Sequence, residues 1–197
     1  MKGLRSAAVL LLAAWMAGGL QAAGPTPTER AAARVHAQDV ADLFREACLA
    51  HQANVDAVAR WALGQGFVDA TRTRSGGEVA EAMKRRGEAG HVFSRGLNDP
   101  SVLLIATTNP SNCLVMGLST VDGPRFRGRA ELLSREWPGV AMAPEPVNSM
   151  DYDDEVPHRI LRYAGVSVQN DYRLTVISPL GTASGTVILG VTVEPRH

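Results

Sequence analysis

The chain has 197 residues, with 20 Lys and Arg against 20 Asp and Glu, and only two cysteines. Zero formal charge excludes the basic footprint of a nucleic-acid-binding protein, and the length suits one domain, or one domain with a tail.

Lys2 and Arg5 precede an unbroken apolar run from Ala7 to Ala17, followed by Leu20-Gln21-Ala22. This is the order of a secretory signal peptide, so residues 1–23 are expected to be a leader cut after Ala22 or Ala23. The alternative is an uncleaved anchor, but the run is shorter than the roughly 20 residues of a typical spanning helix. No cysteine closes the run, so the lipoprotein pattern is missing, and no later segment is long and apolar enough to span a membrane as a helix. Without Lys2 and Arg5, 18 basic residues face 20 acidic ones, and Lys84 is the only lysine. Together with abundant alanine and glycine, this fits a GC-rich bacterial genome, which makes the expected location periplasmic or secreted.

Residues 24–38 read as a linker or a frayed lead-in helix, since Gly24 to Thr28 is rich in proline and Glu29 to Ala37 has only a weak apolar stripe. From Asp39 the pattern sharpens. Val40, Leu43, Phe44, Ala47 and Cys48 recur at helical spacing and put the cysteine on the buried side. Asn54 is an N-cap for a second helix with Val55, Val58, Ala59, Ala62 and Leu63 on one face, ended by Gly64 and Gly66. The short connector His51-Gln52-Ala53 predicts an antiparallel helix hairpin. Thr71 to Gly77 has loop composition, and Glu78 to Arg86 reads as a short helix. Its basic end, Lys84-Arg85-Arg86, complements the helix dipole or, alternatively, forms a patch for anionic ligands.

Short strand-like runs begin at His91. His91 to Arg95, Val102 to Thr107 and Cys113 to Leu118 are three strands, the last two joined by turn residues Thr108 to Asn112. Asp122-Gly123-Pro124 opens a helix with Phe126, Ala130, Leu133 and Trp137 inward, closed by Pro138. The proline-rich segment 138–157 is irregular, and it carries Asp151, Tyr152, Asp153, Asp154 and Glu155. These form a possible binding loop, read as a solvated acidic loop, a partner-binding lid or a Ca2+ site. The last reading lacks the glycine and the distal glutamate of an EF-hand. Strands His158 to Ala164 and Tyr172 to Ser178 follow. Then comes Val187 to Val193, whose two semi-apolar faces suggest a central position.

An exported chain with two cysteines usually oxidises them, so a Cys48–Cys113 disulfide is expected, worth roughly 4 kcal/mol in the chain-entropy model. The alternative, a catalytic thiol with a histidine base, requires the cysteine to stay reduced. No nucleotide loop, nucleophile elbow or His-Glu-x-x-His occurs, and Gly181 to Gly185 is followed by no helix that would complete a phosphate cradle. The histidines at 36, 51, 91, 158 and 197 show no ligand spacing and read as surface or capping residues, with His51 a weak cleft candidate. No catalytic residue, metal or cofactor is nominated.

Phe44-x-x-x-Cys48-Leu49, then Ala59, Ala62 and Gly66-Phe67, then Cys113 in a strand, resembles a loose pattern of small uncharacterised exported proteobacterial proteins. The resemblance spans residues 40 to 118 and implies export and a disulfide, with no activity.

The expected architecture is one α+β domain over residues 39–197. Its N-terminal helices pack on an antiparallel sheet of five or six strands, and one helix is inserted between the sheet's halves. The expected function is a non-catalytic binding or interaction module for a periplasmic protein or cell-envelope ligand. Alternatives are a cell-envelope hydrolase with no sequence-visible site and a small-ligand carrier.

Overall fold

A computed structural model describes residues 24–98, 100–108, 110–145, 157–183 and 185–196. The signal peptide expected over residues 1–23 lies outside this set. The fold is α+β: among the described residues it has four α-helices, an eight-stranded antiparallel sheet and a separate two-stranded ribbon.

Helix α1 spans Pro27–Phe44 and so takes in most of the stretch expected as a linker or frayed lead-in helix. Its start is a capping box. The Thr26 hydroxyl accepts from the Glu29 N–H at 3.2 Å, and the Glu29 carboxylate accepts from the Thr26 N–H at 2.7 Å. The Thr26 N–H, with a smaller effect from the Thr26 side chain, holds the Glu29 carboxyl below its ordinary range. The stripe in this part looks weak because its buried members are small, Ala33 and Ala37. A π-helical turn, Arg45–Leu49, continues the helix, with the Ala50 N–H reaching back to the Arg45 carbonyl at 3.0 Å. The wider turn lets three successive residues, Ala47, Cys48 and Leu49, all be buried.

Helix α2 (Val55–Gly64) is capped by Asn54 as expected. Helix α1 packs on β4 (Ser111–Gly117), β5 (Val121–Asp122), β10 (Val187–Pro195) and α4 (Gly123–Arg135), whereas α2 packs on the π turn, β2 (Ala89–Ser94), β3 (Val102–Thr108) and β4. The connector turns sharply through Gln52 (φ 51°) and Ala53 (φ 56°), left-handed conformations unusual for residues with a Cβ. After β1 (Val68–Asp69) comes α3, which spans Arg74–Arg85 and not only Glu78 onward. Thr73 caps it, accepting from the Gly76 N–H at 3.0 Å, so the expected Thr71–Gly77 loop supplies its first turn.

The sheet order is β1-β2-β3-β4-β10-β8-β7-β6, where β6 is Ala143–Glu145, β7 His158–Val166 and β8 Asn170–Pro179. Two meanders meet at the central β4–β10 pair, and β10 is central as expected. The expected count of five or six strands omitted the short edges β1 and β6; a further short strand, β9 (Thr182–Ala183), pairs with β5 in the ribbon. Elements of two or three residues show no periodicity of their own.

One face of the sheet is buried under α1, the π turn, α2 and α4, around Phe44, Phe126, Leu104, Val115, Leu174 and Leu189. The inserted helix α4 is therefore where it was expected. Helix α3 lies on the opposite face, where Val79, Ala80 and Met83 meet Val92, Leu103 and Ile105. The expectation of one helical layer fails because β3 buries Leu103, Leu104, Ile105 and Ala106 in succession. A strand apolar on both faces needs cover on both.

Candidate functional site

The expected disulfide is present. Cys48 on the π turn and Cys113 on β4 are bonded, fully buried, with Cα atoms 5.5 Å apart. Residues Asp151, Tyr152, Asp153, Asp154 and Glu155 lie outside the described residues. The basic end of α3 is partly neutralised: Arg86 donates to both Glu88 carboxylate oxygens, Nε at 2.6 Å and Nη2 at 3.1 Å.

A different region gathers polar groups into a concavity. The β2–β3 connection, beginning at Arg95, rises beside α1 and closes a cleft of about 300 Å3 lined by His36, Asp39, Leu43, Arg95, Gly96, Asn98, Pro100, Ser101 and Val102. Both ends of that connection are anchored. The buried Ser94 hydroxyl donates to the Gly96 carbonyl, and the Ser101 carbonyl accepts from the Leu118 N–H at 2.8 Å. His36 and Ser101 also line a second, wider cleft of about 560 Å3. It runs past the first turns of α1 to Ser119, Thr120 and Thr182.

Behind Arg95 runs a chain of ring contacts. His51 lies 6.1 Å from Trp61 and Trp61 lies 5.8 Å from Phe67, both pairs tilted, and the Arg95 guanidinium lies over Phe67 at 5.7 Å from its centroid. This is a cation–π contact, which leaves the guanidinium able to donate hydrogen bonds to a partner. His51, the weak cleft candidate, thus belongs to the support of Arg95 and does not line the cleft. Phe67 is placed by the end of α2. Gly66 takes a positive φ of 79°, and the Phe67 N–H returns to the Ala62 carbonyl at 2.9 Å.

On the helical wall, His36 and Asp39 sit one turn apart. The His36 ring packs over Gly117, where a Cβ would approach its Nε2 to 3.0 Å, and that nitrogen is buried with no hydrogen-bond partner. Burial pushes the His36 pKa down, and the Asp39 carboxylate pulls it partly back. His36 is therefore neutral near pH 7. Among the described residues, neither Asp39 nor Arg95 forms an ion pair or side-chain hydrogen bond. This contrasts with Asp42, one turn further along, which accepts from Gln38 at 2.7 Å and pairs with Arg129 at 3.3 Å and Arg45 at 3.5 Å.

These lining residues were not legible as a site in the sequence. In the sequence His36 reads as a surface histidine, Asp39 as the helix start and Arg95 as a strand end. The available signal was phase: extending the 39–48 stripe backwards puts Ala37 and Ala33 inward and His36 on its border. Nothing in the sequence brings Arg95 alongside. A third depression of about 310 Å3, over β7, β8 and β10, is lined by charges that largely pair internally, with Arg173 to Glu145 at 3.5 Å and Arg196 to Asp171 at 3.4 Å.

Comparison with protein-family models, curated proteins and solved structures found no match.

Proposed function

We propose that the protein is exported, loses residues 1–22 or 1–23, and serves as a non-catalytic binding module that engages its ligand or partner in the cleft between α1 and the β2–β3 connection. The observation that carries this reading is the pair Asp39 and Arg95. They are opposite charges lining one concavity, neither in an ion pair among the described residues, and the guanidinium, placed over Phe67, can still donate hydrogen bonds to a partner. The buried disulfide is in keeping with an oxidising compartment. Among the described residues, no helix is long and apolar enough to cross a membrane.

The test is native mass spectrometry of the mature protein recovered from the periplasm, beside the double variant Asp39→Asn, Arg95→Gln. A bound mass carried by the natural protein and lost in the variant is the expected result. A mass retained equally by both would move the binding site elsewhere, and bare chains in both would remove the reading. The same spectra give the mature N-terminus, and an intact residue 1 would refute leader cleavage.

A second reading, a cell-envelope hydrolase, draws on His36, Asp39 and Ser101 meeting at one cleft. The geometry favours it less, because His36 Nε2 is turned onto Gly117 and bonds no hydroxyl.

A further inference from the structure

We infer that the cleft selects a small zwitterion of the amino-acid class, binding its carboxylate at Arg95 and its ammonium at Asp39; this rests on the binding role proposed above. The argument is one of charge. Among the described residues lining the cleft, only Asp39 and Arg95 carry charge near pH 7, because burial keeps His36 neutral. A ligand with a carboxylate alone would satisfy Arg95 but leave the Asp39 carboxylate facing another anion, and a simple amine would meet the converse problem at Arg95. A zwitterion satisfies both, so each wall excludes what the other would attract.

Size and surroundings agree. About 300 Å3 is at the lower end of small-molecule pockets. Asn98 and Ser101 offer neutral donors and acceptors, while Leu43 and Val102 supply an apolar patch for a short side chain. Asp39 stands on a helix, and Arg95 lies over Phe67 at the start of a connection hydrogen-bonded near both ends, at Ser94 and Ser101.

The experiment is amide chemical-shift mapping on the mature, oxidised protein, titrated with L-alanine, D-alanine, N-acetylalanine and alaninamide up to about 10 mM, enough to detect dissociation constants near 1 mM. At least one alanine enantiomer should give saturable shifts at Asp39, Gly96 and Ser101. The two singly charged analogues should bind about tenfold more weakly, a difference of about 1.4 kcal/mol. Arg95→Gln should abolish the preference for alanine over alaninamide, and Asp39→Asn the preference over N-acetylalanine. Analogues binding as tightly as alanine would overturn the zwitterion while leaving the cleft a site. No shift from any probe, with the cleft-dependent mass still present in the native spectra, would overturn the ligand class alone. Both results negative would remove the binding reading as well.

Discussion

Cys48 and Cys113 join the turn after the first helix to β4, the last strand of the first meander, across a sequence separation of 65 residues and inside the main core. The crosslink ties a helix to the strand that bridges the two halves of the sheet. Its loss should therefore be felt by the whole domain. Reduction is expected to lower the unfolding free energy by about 4 kcal/mol, read from urea denaturation with and without reductant. A change under about 1 kcal/mol would show that the core holds the two elements together unaided.

Two glycines of α4 should respond with opposite signs. Gly123 lies directly against the Pro179 carbonyl, and its N–H donates to the Gly181 carbonyl at 3.0 Å, so Gly123→Ala forces backbone apart and should cost about 1–3 kcal/mol. Gly128 is exposed within the same helix with no atom near a Cβ, so Gly128→Ala should stabilise by about 0.5–1 kcal/mol. Thermal melts of both variants check the pair. Equal signs would contradict the packing of α4 onto the end of β8.

Asp42 and Asp39 occupy successive turns of α1 but differ in their partners. Asp42→Ala removes contacts to Gln38 and Arg45 along the first helix and the contact to Arg129 that joins α1 to α4, and should cost about 1–2 kcal/mol even after allowing for solvent screening of these partly exposed pairs. Asp39→Asn breaks no such bond and should stay within about 0.5 kcal/mol of the natural protein, and Arg95→Gln, which loses the contact over Phe67, within about 1 kcal/mol. Urea titrations decide. A large loss at Asp39 or Arg95 would mean that these charges serve folding.

His36 makes stability depend on pH. Its folded pKa is below the ordinary value of 6.5, so the unfolded chain takes up the proton first. This contribution is fully present above about pH 6.5 and is lost as pH falls through 6.5 towards the folded pKa. Between about pH 7.5 and 5.5 the natural protein should therefore lose more stability than His36→Gln, measured by denaturation at each pH. Parallel profiles would show that the ring titrates as if exposed.

Much of the fold was present in local pattern. The period-2 alternation of Tyr172, Leu174 and Val176 and of Val187, Leu189, Val191 and Val193 reports a covered face, and Asn54 and Asp122 announce their helices through backbone bonds a few residues away. Even the disulfide follows from there being two cysteines in a chain with a leader-like start. Local signals reach as far as a turn or a strand.

What the tertiary structure alone decided is which distant elements lie side by side. The early part of α1 is held by small alanines against the sheet, and α3 crosses to the opposite face because β3 is apolar on both sides. Arg95, at the end of an ordinary strand, comes to line the same cleft as Asp39. Side-chain type sets whether a residue prefers burial or water. Only chain crossings, here the meeting of the two meanders at β4 and β10 with α1 packed over that seam, set which charge looks at which.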